Sequence, residues 1–376
     1  MPATRRSAPS ASEEGREQQQ PSKKIKRSTS TSGGVPPLGK FLASSEKPIR
    51  DKAVASLTKF LSAGKLPLKG EGEEEELLLG DLDWEKEWKP DSRLEELEMA
   101  KLWKGIYYCF WMSDKPLVQQ ALAQTLADLT LVVRPKSTKP EKNGRVERVK
   151  STLAFLKGFW STVCREWVGL DRLRIDKFYL LIRRFVEVGF KFLEREEWDP
   201  KAIELYNEVL TSPGGPLYVE SPKTPHSLVF HLSDIFLDEL ERVSTHVSSQ
   251  SVPLVALLQP YMLTLTVAPS SPIFSRLVEN IFKPLLIAFF PPPNKPQPRR
   301  RKKDGPPPPR PEYPQILEHC VEAKGESEGS DGQTVGSTVA KKVLKSLFEV
   351  GGQPGVDEHN RRKIYQFVAE WEVDFD

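Results

Sequence analysis

The sequence predicts an all-α fold of antiparallel helical hairpins flanked by disordered tails, and three observations carry the prediction. Apolar residues recur at the helical period through most of residues 37 to 290. Pairs of such segments are parted by only a few residues rich in Asp, Pro or Gly, so that consecutive helices must fold back on each other. No convincing alternating strand series and no strict repeat period is present. Successive hairpins of roughly 40 to 50 residues without strands are the signature of a degenerate α-solenoid of the HEAT or armadillo sort, with a compact irregular helical domain as the alternative.

The elements follow in order. Residues 1 to 36 are rich in Ser, Gln, Pro and charge and too poor in apolar residues to offset ordering entropy, so they read as a tail. Within it, SKKIKRS sets Lys23, Lys24, Lys26 and Arg27 in a basic cluster of the kind nuclear import receptors read. In EKPIRDKAVASLTKFLSAG, Pro48 suits a first helical turn and Gly64 a helix end, with Ile49, Ala53, Leu57, Phe60 and Leu61 in helical register. The acidic stretch at about 68–92 reads as a solvated insertion; the sharper alternative is a nucleic-acid mimic that holds a basic partner. Its glycines argue against the rigid scaffold that two catalytic metals need.

LWKGIYYCFWMSDKPLVQQALAQTLADL, residues 102–129, then gives the hairpin in its clearest form. One helix is expected from about 94 to 112, and Asp114 is placed to cap a second with Pro116 in its first turn. The device recurs: a helix from about 147 to 167, Gly169 as its stop, Asp171 as the next cap and a helix to about 196, after which Asp199 and Pro200 open a short one. Further helical patterns occupy about 227–247, 253–267 and 273–289. Beyond 290, PPPNKPQPRRRKKDGPPPPRPEYP reads as an extended, exposed arm carrying Arg299, Arg300, Arg301, Lys302 and Lys303. With a Gly/Ser-rich spacer it makes a linker over 291–336, and two short helical patterns complete the chain over 337–376.

The residues that could carry chemistry are sparse. Nucleotide-binding, zinc-protease and C-x-x-C motifs are missing, so no cofactor, metal, small-molecule substrate or catalytic residue is expected. No apolar run is long enough to span a membrane. His226 and His231, five apart, do not share a helical face, and Cys109, Cys164 and Cys320 are too scattered for a disulfide framework. Trp103, Trp111, Trp160 and Trp167 fall where large side chains fill space between helices, a core role being favoured over base stacking.

The most informative helix is REWVGLDRLRIDKFYLLIRRFVEVGFKFLE, residues 165–194. Ile175, Phe178, Ile182, Phe185, Gly189 and Phe192 make an apolar stripe that Tyr179, Leu181, Val186 and Leu193 widen to about half the circumference, as for an inner element covered on two sides. Lys177, Arg184 and Lys191 recur every seven residues on the expected exposed side, with Arg174 nearby, and from 145 to 195 there are 12 Lys and Arg against 6 Asp and Glu. Such a ridge can track a phosphate backbone; equally it can be a solvated face with internal pairs such as Arg172 to Asp176. The basic arm offers either nucleic-acid contact or a second import signal.

Three segments go further than pattern. EKPIRDKAV at 46–54, LWKGIYYCFWMSDKPLVQQALA at 102–123 and FWSTVCREWVGLDRLRIDKFYLLIRR at 159–184 closely resemble, in order and spacing, the signature blocks of the nucleolar ribosomal RNA processing protein 1 family. The likeness is strong from about 41 to 198 and looser to about 290. It implies a non-enzymatic assembly factor of the nucleus and nucleolus that joins early precursors of the large ribosomal subunit and is needed for spacer processing of pre-rRNA. It also implies a helical scaffold beside a Brix-domain protein and a β-propeller protein, with no catalytic residues to carry over. A HEAT-type protein adaptor without RNA contact is the rival expectation.

Overall fold

The computed structural model describes residues 38–62, 96–135, 144–245, 252–289, 312–323 and 335–371. Among them the fold is all-α, and the one β-bridge joins Val252 to Cys320. The helices are α1 (Leu38–Leu42), α2 (Lys47–Ser62), α3 (Glu96–Trp111), α4 (Pro116–Val132), α5 (Gly144–Glu166), α6 (Ile175–Arg195), α7 (Pro200–Thr211), α8 (His226–Ser244) and α9 (Leu254–Thr266). After them come α10 (Ser271–Leu277 continued by Lys283–Phe289 through a π-helical turn, Val278–Phe282), α11 (Pro314–His319), α12 (Val335–Gly351) and α13 (Glu358–Ala369).

Alternate helices pack on one another. One layer runs α1, α3, α5, α7, α9 and α12; the other runs α2, α4, α6, α8 and α10. This is helical-hairpin packing, in which each short turn sends the chain across from one layer to the other. The turns are built as the sequence suggests where a proline or a true cap is present. Pro116 opens α4, and Asp199 accepts from the backbone amides of Lys201 and Ala202 to cap α7 beside Pro200.

Two expected caps are corrected. Lys115 precedes α4 and Asp114 makes no capping bond; its side chain is exposed and lies 4.0 Å from the Lys177 ammonium. Asp171 accepts from the amides of Leu173 and Arg174, which shapes the turn before α6 but leaves the helix to start four residues later, at Ile175. Gly169 does end the preceding element, as the last residue of a 3₁₀ turn, Trp167–Gly169, that tightens the end of α5.

Aromatic packing fills the space between layers. Trp103 of α3 meets Phe155 and Phe159 of α5 and Phe185 of α6, while Phe159 and Phe185 stack with ring centroids 3.6 Å apart. Trp103, Trp160 and Trp167 are buried; Trp111 is half-buried against Tyr107 and Phe178. Two glycines set the helix spacing. A Cβ on Gly105 would lie 2.8 Å from the Cα of Gly39, so α1 crosses α3 backbone to backbone, and one on Gly189 would lie 2.5 Å from the Tyr206 hydroxyl.

The α6–α7 turn is closed by charge. Glu197 and Trp198 both take positive φ, 59° and 55°, a conformation that costs non-glycine residues roughly 1 kcal/mol each. Beside them the wholly buried Glu196 carboxylate receives Arg148 at 3.1 and 3.2 Å, Arg145 at 3.3 Å and Arg195 at 3.0 Å. Arg145 also donates to the Glu196 carbonyl at 2.6 Å and Arg195 to the Leu131 carbonyl at 2.9 Å, tying the ends of α4, α5 and α6 together.

The later helices dock through carboxylates as well. Glu241 accepts from the amides of Gln315 and Ile316 at the start of α11, and Glu322 from those of Leu254 and Val255 at the start of α9. Asn360 of α13, capped by Asp357, donates to the carbonyls of Thr266 and Ala268 at the end of α9.

Candidate functional surfaces

The three segments that carried the family resemblance meet at one place. The last carbonyls of α3 and its turn have no helical partner, and the dipole of α3 makes that end negative. Two buried cations cover it. Lys177, in the first turn of α6, donates to the carbonyls of Trp111 and Ser113, both at 2.7 Å. Arg50 of α2 donates to Met112 at 3.3 Å and to Ser44 and Ser45, both at 2.9 Å. Arg174 lies over the Trp111 ring, 4.8 Å from its centroid, and is ion-paired with Asp171. Burial pushes the Lys177 ammonium below the usual lysine range and Arg174 adds to this, against the opposing pull of Asp114.

This junction corrects the expected ridge. Lys177 is only 7% exposed, because the α3–α4 turn lies over it. Arg184 and Lys191 are half-buried and converge on one carboxylate, Glu187, at 2.8 and 2.7 Å, with Arg242 of α8 at 3.8 Å. Burial alone would raise the Glu187 carboxyl, but Lys191 and Arg184 outweigh it and hold it below the usual carboxylate range. Each of the four ridge cations named from the sequence therefore has an internal partner. Lys23, Lys24, Lys26, Arg27, Arg299, Arg300, Arg301, Lys302, Lys303 and the acidic stretch lie outside the described residues.

Around the junction several large apolar side chains face solvent. Met112 and Leu117 flank the α3–α4 turn, Val168 and Leu173 the α5–α6 turn, the last being 92% exposed. The pattern of the sequence did not single them out, because an apolar residue beside a helix end looks the same whether it is covered or bare.

A second feature was also missed. Lys101 and Lys104 of α3, Lys157 of α5 and Lys40 of α1 are exposed, and none has an ion-pair partner among the described residues. Charge is distributed unevenly along the fold. The described residues up to 195 hold 21 Lys and Arg against 12 Asp and Glu, whereas those from 196 to 323 hold 5 against 14.

The groups suited to catalysis are occupied in packing. Burial pushes the Cys109 thiol up to about 11 and Cys164 up to about 12, and Cys320 is buried as well, so none of the three is poised as a thiolate. His226 is exposed at the start of α8, and His231 packs on Tyr179 with its Nε2 3.1 Å from the Tyr179 carbonyl oxygen. Burial lowers the His231 imidazole below its usual range. Among the described residues no group of three or more His, Cys, Asp and Glu is placed to hold a metal, and no helix is long and apolar enough to cross a membrane.

Comparison with known proteins agrees with the resemblance. The chain is 35% identical over 202 residues to human ribosomal RNA processing protein 1 homolog B, an alignment covering 54% of this chain and 22% of that protein. It is 29% identical over 249 residues to mouse ribosomal RNA processing protein 1 homolog A, covering 66% and 42% of the two chains. With human homolog A the identity is 26% over 355 residues, covering 88% and 68%. The chain thus spans about a fifth of the length of the first of these relatives and about two fifths of the second. A family model described as "Nucleolar protein, Nop52" matches residues 34–368, nearly the whole of the described fold, and the chain accordingly belongs to the Nop52 family of nucleolar proteins.

Proposed function

We propose that this chain is a non-enzymatic factor of ribosome biogenesis, acting in the nucleolus as a HEAT-type helical scaffold on early precursors of the large subunit and needed for spacer processing of pre-rRNA. The observation that carries the reading is the family match over residues 34–368, together with relatives named for ribosomal RNA processing. The two-layer hairpin packing supports a scaffold, since it holds separate turn edges and helix faces in fixed relation. In this reading the turns around Met112 and Leu173 receive partner proteins, a Brix-domain protein and a β-propeller protein among them. The Arg299–Lys303 arm touches rRNA phosphates, and Lys23–Arg27 addresses the chain to the nucleus.

The test is depletion with rescue. Loss of the protein is expected to accumulate spacer-containing precursors, and the tagged protein to co-sediment with large-subunit precursors. Free protein at the top of the gradient, with normal processing after depletion, would end the proposal. A second reading, a nuclear protein adaptor without RNA contact, draws support from the internal pairing of Arg174, Lys177, Arg184 and Lys191. It predicts association with particles that survives RNase treatment and is unchanged when Arg299 to Lys303 are neutralised.

A further inference from the structure

We infer that the outer face of α1, α3 and α5 is an RNA-backbone surface, with Lys40, Lys101, Lys104 and Lys157 as its phosphate contacts; this rests on the ribosome-biogenesis reading above.

The first support is what these lysines lack. Lys47, by contrast, is matched within its own helix by Asp51, whereas Lys52 and Lys59 of α2 are exposed without such a match and so serve as the comparison for this face. At helical spacing Lys104 faces Ala100, Lys101, Tyr107 and Tyr108, and Lys157 faces Leu153, Ala154, Trp160 and Ser161, with no acid among them. Lys101 has Glu98 three residues before it, yet no ion pair forms.

The second support is convergence. The α1–α3 crossing at Gly39 and Gly105 sets Lys40 beside the turn of α3 that carries Lys101 and Lys104. On the other flank a Cβ on Gly158 would lie 2.3 Å from the Trp103 ring, which brings Lys157 against the same stretch of α3. Lys101, Lys104 and Tyr108 share one exposed stripe of α3, and the half-buried Tyr108 ring supplies an aromatic face beside the cations.

The third support is charge balance: among the described residues Lys and Arg outnumber Asp and Glu up to 195 and are outnumbered from 196 to 323, which favours approach of a polyanion to α1–α5 over α7–α8. The cations lie on helices packed into the core, so little ordering entropy is lost when they engage a strand. An acidic protein segment is the competing occupant.

The experiment uses the full chain and a fluorescein-labelled single-stranded RNA of about 40 nucleotides. Lys101→Glu, Lys104→Glu and Lys157→Glu combined is expected to weaken binding at least tenfold at 0.1 M salt. The slope of log affinity against log salt should fall by about two, as three phosphate contacts on a single strand require. Lys52→Glu with Lys59→Glu, exposed on α2 in the other layer, is the control for net charge and is expected to change affinity less than threefold. The inference is overturned if the triple variant binds like the wild type, or if Lys101→Glu with Lys104→Glu does no more than the α2 pair. It also falls if RNA affinity is kept while a particle protein is lost, which would make the face a protein interface. Co-sedimentation of the wild type separates this outcome from failure of the biogenesis reading. A triple variant that still sediments with precursors but loses RNA crosslinks supports the surface, whereas a wild type absent from particles removes the reading beneath it.

Discussion

The two ends of α6 solve the same problem with different chemistry. Roughly 30 Å apart along the helix, each end ties three turns together through buried cations. At the start of α6, Lys177 and Arg50 bind the neutral carbonyls that close α3. At its end, Arg145, Arg148 and Arg195 surround the Glu196 carboxylate. The first junction sets charge against helix dipole; the second sets charge against charge. The second junction therefore has a titrating carboxylate at its centre and a larger penalty for losing it, while the hydrogen bonds of the first go to carbonyls that do not titrate.

The largest effect is expected from Glu196→Gln. It removes the buried carboxylate that three guanidiniums share, and breaking a buried pair in this way costs about 3–5 kcal/mol, to be read from urea unfolding of the full chain. Lys177→Met keeps the aliphatic stem but leaves the Trp111 carbonyl unanswered and the Ser113 carbonyl with the Gln119 amide alone. A loss of about 2 kcal/mol is expected, smaller because the variant also relieves the cost of burying an ammonium.

Acid separates the two junctions further. Burial by itself would raise the Glu196 carboxyl, but Arg148 and Arg195 overcome that and hold it below the ordinary range. A depressed folded pKa gives stability that is present above the unfolded carboxyl value, about 4.3, and is lost as pH falls through the folded one. The gap in urea midpoint between wild type and Glu196→Gln should therefore narrow as pH falls below about 4.3, while the gap for Lys177→Met should stay constant from pH 7 to 4. Equal narrowing of both gaps would show that the two ends do not differ as argued.

The smallest effects belong to the rim of the first junction. Arg174→Ala removes a partly exposed ion pair and a stacked contact on Trp111, worth about 0.5–1 kcal/mol. Leu173→Asp should change stability by less than about 0.5 kcal/mol, since its side chain touches mainly solvent. If the α5–α6 turn is a docking edge, that same substitution should displace a partner from the particle. Measured together, the two variants ask whether the rim serves the fold or something outside it.

The helices were legible because each rests on local terms. Period, proline at the first turn and short polar connections give α2 to α10 to within a few residues, and the wide apolar arc of α6 announces an element covered on both sides. Asp199 caps α7 as its spacing suggests, since the next two amides must point at it. Asp171 fails as a helix cap because an aspartate four residues ahead of a helix can serve the turn instead, and Asp114, two residues ahead of α4, makes no capping bond; local sequence does not decide which outcome follows. Glycines 105 and 189 could be read as weak helix formers, yet their purpose, a close crossing with Gly39 and room for Tyr206, depends on residues 66 and 17 positions away.

The basic surface marks the boundary most clearly. By itself the sequence determined that α6 carries cations at seven-residue intervals and that α3 carries two three residues apart, for these are consequences of helical geometry. Which of them remain available depends on the packing of distant segments. The α3–α4 turn covers Lys177 and Glu187 gathers Arg184 and Lys191, while Lys101, Lys104 and Lys157 are left facing solvent. A charge is neutralised by whatever lies within a few ångströms of it in space, and a helical period along the chain carries no record of that neighbour.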